Sequence, residues 1–413
     1  MHLRKTVWLT AFVLCAALAN VHATSSAHRA QVQSPPRVAA HEPKGIALTQ
    51  HGLGGPRAEL TRRIDAYPTR VMKSSGLAGA MGGARVRILA ATPQSILLPI
   101  PQLTEGQVPL SYFITANPPD AVTAYRLWSR DDGNVVAVVS FAGIPQEVQI
   151  TWCSVVLMTP WSVTPDRTPT DPYRAATACV QSTSDEVATL AERLWSANRT
   201  PEDFAESIRS HVERMARQSQ PQSLDAVGIL ASGDNTICTA NANLAAALMR
   251  ARGIACRSMA VIPTVSFRYQ MHRIAAFAAN DRWVRFDPSS VHRDIPAKPW
   301  QNIVMSRTTI EDEQVSMGFR QSMMKGCPYA QEFELLTPEI TMTGQDFFWT
   351  IAKPLASFEA TEDATRLAAA AWTQFLESGT LSQGQMDART ATTAAEFAAL
   401  LKGHSVSSES QER

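Results

Sequence analysis

What the chain lacks narrows its function first. It has almost no net charge: 38 Lys and Arg stand against 37 Asp and Glu, a formal balance of +1. No global basic field exists to hold nucleic acid or an anionic membrane. Lysine is scarce, with seven residues against 31 arginines, and no arginine cluster stands out. No Cys-x-x-Cys pair occurs, which argues against a zinc knuckle. The glycines at 76, 79, 82 and 83 are not followed by Gly-Lys-Ser/Thr, so they do not form a phosphate loop. There is no internal repeat, and no apolar run reaches the about 20 residues that a membrane-spanning helix needs. The chain does have bulk. Its 413 residues, 45% hydrophobic and 18% charged, are enough for roughly two or three domains with buried cores.

Residues 1–23 have the three parts of a secretory signal. His2, Arg4 and Lys5 form a basic head, residues 7–19 are mostly apolar, and Val21-His22-Ala23 provides small residues for cleavage. The mature protein is therefore expected to be secreted or periplasmic, with no membrane span after cleavage. Without Cys15, five cysteines remain: Cys153, Cys179, Cys238, Cys256 and Cys327. In an oxidising compartment an odd count leaves one thiol over. Four cysteines besides Cys238 can form up to two disulfides or stay reduced, and the sequence does not choose among the pairings.

Composition divides the rest. Residues 24–84 are rich in Ala, Ser, Gly, Pro and Gln and read as a disordered linker. Residues 85–165 form a small β-domain. Short β-rich runs stand at 95–101, 110–115, 122–129, 135–141 and 148–158, with Asp131-Asp132-Gly133-Asn134 as a turn between two of them. Several short runs at close spacing suggest a sandwich. A proline- and threonine-rich connector at 160–172 ends it. A domain at 180–300 follows, opening with two helices. The first places Val187, Leu190 and Leu194 on one face. The second starts at Thr200-Pro201-Glu202-Asp203, where Thr caps, Pro takes the first turn and Asp203 faces the helix dipole. His211 on that helix and His292 beyond the domain's last strand read as boundary or surface residues. Residues 301–402 read as a C-terminal α/β extension with β-like runs at 333–336 and 347–351 and helices near 361–376 and 391–401, placed to buttress the preceding domain or roof its cleft. Residues 403–413 are a polar tail.

Residues 233–288 carry the chemistry. Leu244, Leu248 and the surrounding alanines make a helix that begins near Cys238 and stops at Gly253. Asp234, Asn235 and Thr236 are candidate caps. A thiol at a helix N-terminus meets free N–H groups and the positive end of the dipole, which favour the nucleophilic thiolate. The same N–H groups can hold an oxyanion. Two strands follow, 272–279 and 282–288, on either side of Asn280-Asp281, a pair suited to a tight hairpin. With that loop as the turn, paired residue numbers sum to 561, so Asp287 faces Ile274 and lies diagonal to His272 on one face, with Trp283 on the same face. The imidazole can take the thiol proton and later protonate a leaving amine. The carboxylate fixes the ring's tautomer. Cys238, His272 and Asp287 thus form a candidate triad.

The ordered set Cys238, Arg250-Ala251-Arg252-Gly253-Ile254, Arg257, His272 and Trp283-Val284-Arg285-Phe286-Asp287-Pro288 resembles the core of the transglutaminase-like superfamily of papain-type thiol enzymes. The resemblance implies an α+β fold: a papain/transglutaminase-like core with the catalytic helix packed on an antiparallel sheet, preceded here by the small β-sandwich-like domain. It implies acyl transfer on amide bonds by Cys238, His272 and Asp287, with no metal or organic cofactor. The partner would be a protein or peptide substrate, a cell-wall peptide among the options. Water as acceptor gives a protease or amidase, and a lysine amine gives a cross-linking enzyme. Hydrolysis is favoured, because water attacks any thioester that is not shielded from it. Ile274 and Ala276 stand where the family often carries Trp and an acidic residue. The rival reading is a catalytically silent binding or structural protein that keeps the fold.

Overall fold

The computed structural model describes residues 76–88, 94–129, 133–144, 146–160, 166, 168–195, 200–215, 223–233, 237–264, 272–289, 294–298, 301–314, 340–342 and 349–357, with a few positions beyond. The expected signal segment, His292, Cys327, the expected run at 333–336, the expected helix at 391–401 and residues 403–413 lie outside them, as does most of the expected helix at 361–376.

Six strands open the described chain: β1 (Gly76–Ile88), β2 (Gln94–Pro99), β3 (Gln107–Asn117), β4 (Val122–Ser129), β5 (Val135–Phe141) and β6 (Gln146–Met158). All pair antiparallel, in two sheets. The glycine-rich stretch read above as the end of a linker is corrected: it is strand β1, paired along its length with β6. Its small residues serve packing. A Cβ at Gly82 would come within 2.6 Å of the buried Trp152 ring on β6, so glycine leaves room for the aromatic neighbour.

Four helices follow: α1 (Asp185–Leu194), α2 (Pro201–Arg214), α3 (Ala226–Ser232) and α4 (Cys238–Ala251). Ser184 caps α1 by accepting from the Val187 N–H. Thr200 and Asp203 form a reciprocal capping box on α2. In α4 every residue from Thr239 to Arg250 is buried. Its alanines and leucines favour helix and let neighbours approach from all sides. Leu244, Leu248, Phe204, Ile208 and Phe277 belong to one core cluster, so α4 runs through the middle of its domain. Gly253, at φ +72°, turns the chain out of it.

The helix packs on a sheet of β7 (Cys256–Pro263), β8 (His272–Ala279), β9 (Arg282–Phe286) and β10 (Asn302–Arg307), ordered β10-β7-β8-β9 and antiparallel throughout. The fold is therefore α+β, with a helix on an antiparallel sheet as expected. After the short helix α5 (Ile310–Glu313) come β11 (Ile340–Met342), β12 (Trp349–Ser357) and β13 (Thr380–Leu381). Strands β11 and β12 pair with β1, and β13 pairs with β4, while β12 also lies against β7. The chain returns to complete the N-terminal sheets.

Strand β10 is the outer strand of its sheet, and side-chain amides line its free edge. Gln107 Nε2 donates to the Val304 carbonyl at 3.0 Å and its Oε1 accepts from the Val304 N–H at 2.8 Å. Asn134 makes the same two-way contact with the Arg307 backbone, at 2.9 and 2.8 Å. Gln102 donates to the Met305 carbonyl at 3.0 Å. All three amides come from the N-terminal β-region, which is thus hydrogen-bonded to the α4 domain.

Candidate active site

Local sequence builds the site. Asn280 and Asp281 take positive φ values of 52° and 59°, the geometry of a tight two-residue hairpin. The register that follows pairs Ala278 with Trp283 and Ala275 with Phe286, as the 561 sum requires. His272 opens β8, and Asp287 lies one residue past β9. His272 Nε2 is 2.8 Å from Asp287 Oδ2. Cys238 opens α4, within reach of His272, which lowers its pKa. With Nε2 committed to Asp287, Nδ1 is the ring nitrogen left for the thiol. The structure therefore joins His272 to Asp287 by a hydrogen bond and sets both beside Cys238, close enough for the ring to act on the thiol.

The electrostatics of the three groups agree with one another. Burial alone would raise the Cys238 pKa. The His272 hydrogen bond and charge, with the Arg273 N–H and charge, outweigh it and hold the thiol below its ordinary value. Burial likewise opposes a charged His272, yet Asp287 first and Cys238 second push its pKa up to about 10. Each group thus favours the charged form of the other. Asp287 is fully buried, and its Oδ1 accepts the Ser289 N–H at 2.8 Å.

Three residues that sequence reasoning missed support this arrangement. Asn241, on α4 after Cys238, donates through Nδ2 to Ser289 Oγ at 3.1 Å. The helix that carries the thiol is thereby tied to the turn that carries the carboxylate. The hint was present in the spacing: Asn241 lies one helical turn from Cys238, and Ser289 sits where an Asp side chain accepts a backbone N–H two positions on. Arg273, beside His272, is 2% exposed, and its backbone N–H and charge help to lower the Cys238 pKa. No pattern in the sequence marked it.

Other expectations change. Residues 234–236 lie outside the described structure, and the residue that caps α4 is Ile237, with no side-chain cap. The thiol therefore meets a helix start whose N–H groups no cap from Ile237 occupies. Ile274 and Ala276 are fully buried in a cluster with Met259, Val261 and Trp283. These departures from the family pattern are packing residues. His211 is half-buried and lines a cavity of about 420 Å³ with Leu190, Met215 and Leu230, which includes none of the three site residues. Burial, then Arg193 and Arg214, lower its pKa. Cys179 and Cys256 are buried thiols, and burial pushes Cys256 up to about 12. Among the described residues no group of His, Cys, Asp and Glu could hold a metal, and no helix is long and apolar enough to cross a membrane.

Behind the hairpin lies a buried ionic layer. Asp166, from the connector, accepts from Arg257 and, at 3.1 Å, from Arg307 Nε. Burial opposes its charge, but the two guanidinium groups lower its pKa to about 2. The Arg257 guanidinium stacks on Trp283, 4.1 Å from the ring centre, and Trp283 meets Tyr173 edge to face. Arg250 fixes the far end of α4 by pairing with buried Glu313 at 2.8 Å and donating to the Cys256 carbonyl at 2.8 Å.

Comparison with known proteins agrees with this architecture. Residues 188–288 match the core of the transglutaminase-like superfamily. No curated protein matches the chain. A protein from Cytophaga hutchinsonii, described as a candidate cysteine protease, superposes with a TM-score of 0.50 at 13% identity, covering 70% of this chain and 94% of its own. That likeness is one of fold. The periplasmic domain of TgpA from Pseudomonas aeruginosa, bound to ethylmercury, superposes with a TM-score of 0.29 at 14% identity, covering 52% of this chain and 91% of its own.

Proposed function

We propose that the transglutaminase-like core of this chain, residues 188–288, works as a cysteine-nucleophile acyl-transfer enzyme on amide bonds, in the hydrolytic direction. The 2.8 Å bond between His272 and Asp287, with Cys238 opening α4 beside the ring, carries the reading. The Cys238 thiolate attacks an amide carbon, and the oxyanion faces the N-terminal N–H groups of α4. The His272 imidazolium gives its proton to the leaving nitrogen, and ammonia or an amine departs. Neutral His272 then takes a proton from water, which attacks the thioester and frees the acid and the thiol. Asp287 holds the ring's tautomer and offsets its charge throughout. The substrate is a protein or peptide, and the signal-like N-terminus supports export to a secreted or periplasmic location.

Alkylation of the full chain near pH 6.5, with the label located by peptide mass, tests the nucleophile. Fast labelling at Cys238 that slows in His272→Ala supports the reading. Labelling that is slow, or the same in both proteins, removes it. Peptide amides and purified cell-wall peptides, offered with and without an added amine, then separate hydrolysis from cross-linking.

A further inference from the structure

The sheet that carries His272 holds one side-chain amide that the fold leaves unused. Asn302 opens β10 and is 1% exposed, yet among the described residues neither its Oδ1 nor its Nδ2 has a hydrogen-bond partner. The other amides of this region are engaged. Gln107 and Asn134 bond the β10 backbone in both directions, and Gln102 reaches Met305. Gln301, the preceding residue, donates to Asp294 and accepts the Lys298 N–H. Buried polar groups are almost always bonded, so an amide open at both ends points to a partner from outside the fold. Pro263 across the sheet and Val304 along the strand have no side-chain donor or acceptor to offer.

Register places this amide relative to the triad. His272 pairs with Val261, and Val261 with Val304, so the three form one row across β8, β7 and β10. Val261 and Val304 share a core cluster, as residues on one face do. Asn302 stands two residues from Val304, level with Pro263, and so on the same face as His272. Strands β8 and β10 both begin at this end of the sheet, and β7 ends there. Two strand spacings of about 4.8 Å and two residues of about 3.3 Å set the Cα atoms of Asn302 and His272 about 12 Å apart. An extended peptide crosses that gap in about four residues.

We infer that Asn302 is a substrate-binding residue, whose side-chain amide takes the main chain of an extended peptide about four residues from the bond under attack. A peptide group carries one N–H and one C=O, the complement of a carboxamide's acceptor and donor. The inference rests on the reading of Cys238, His272 and Asp287 as a site for peptide amides. It adds to that reading a preference for peptide length that is indifferent to side chains. Asn302 is covered in the free protein, so a peptide has to part that cover as it binds. A peptide too short to reach the amide gains nothing from doing so.

The test is protection of Cys238 from iodoacetamide in the full chain by acetyl-oligoalanine amides of one to six residues, for wild type, Asn302→Leu and Asn302→Ala. Oligoalanine offers main chain with a minimal side chain, and protection needs binding but no turnover. In wild type the half-protecting concentration should fall about tenfold once the peptide reaches about four residues, the worth of one or two net hydrogen bonds. In both variants that step should vanish, while the shortest peptides protect as before and unprotected alkylation keeps its wild-type rate. A step that persists in the variants overturns the inference, and so does a wild type without one. If only one variant folds, its profile decides between these outcomes. If neither folds, the amide serves the fold rather than a peptide, and the inference falls. A Cys238 whose alkylation His272→Ala leaves unaltered fails the underlying reading instead, and is recognised before any peptide is added.

Discussion

Replacing Asp287 by alanine removes the carboxylate that His272 bonds. The His272 pKa stands at about 10 against an ordinary 6.5, although burial pulls it down, and the Asp287 charge and hydrogen bond are the leading causes that lift it. If they supply about half of the net lift, the imidazolium loses about 2–3 kcal/mol, at about 1.4 kcal/mol per unit. The population of the thiolate–imidazolium pair should then fall by roughly 10²-fold. Alkylation of Cys238 at about pH 6.5 should slow to match, while circular dichroism reports whether the fold survives. Asp287→Asn makes the comparison sharper. Its amide oxygen can still accept from the ring or from the Ser289 N–H, so orientation is partly kept while the charge is lost, and its rate should fall between wild type and alanine. A folded Asp287→Ala protein alkylated within about threefold of wild type would refute this account of how the pair is held.

Four further outcomes follow from the geometry. The pH–rate profile for alkylation of wild type should have an acid limb below the ordinary thiol range, because the Cys238 pKa is lowered, and activity against amides should fall as pH rises through about 10, where His272 loses its proton. Under limiting reagent at neutral pH, peptide mapping should find label at Cys238 and none at Cys256, whose thiol is buried and held at about 12. Asn241→Ala breaks the tie between α4 and the Asp287 turn, and should slow Cys238 alkylation by about three- to tenfold, the worth of one net hydrogen bond. Asp166→Ala leaves Arg257 and Arg307 buried without their shared carboxylate, and chemical denaturation should show a loss of about 3–5 kcal/mol. In wild type the Asp166 contribution is fully present above the ordinary carboxylate value of 3.8, and is lost as pH falls through about 2.

The sequence disclosed what short-range rules govern. The hairpin register could be read from Asn280-Asp281, because a two-residue turn leaves one register open. The start of α2 could be read from Thr200 and Asp203, and β4 and β5 were found to the residue. Strand β7 was missed because every one of its residues is buried, so it shows no alternation of apolar and polar positions. Strand β1 was missed because its small residues, which make room for Trp152, have the composition of a linker. The return of β11 and β12 to β1 is a pairing over some 250 residues that no local pattern encodes. At the site, the contact between His272 and Asp287 followed from spacing and strand parity. The bonds from Arg273 to Ser258 and Thr308 join three separate segments, and only the folded chain assembles them.

The amides along β10 bear on how this protein can be cut or truncated. An uncovered strand edge is a template for pairing with another chain. Gln102, Gln107 and Asn134 occupy the backbone groups through which β10 would recruit such a partner. A fragment that began after the connector would keep the triad residues but lose all three amides, baring that edge. Such a fragment should self-associate, and the β-region then acts as a permanent internal chaperone for the sheet behind the thiol.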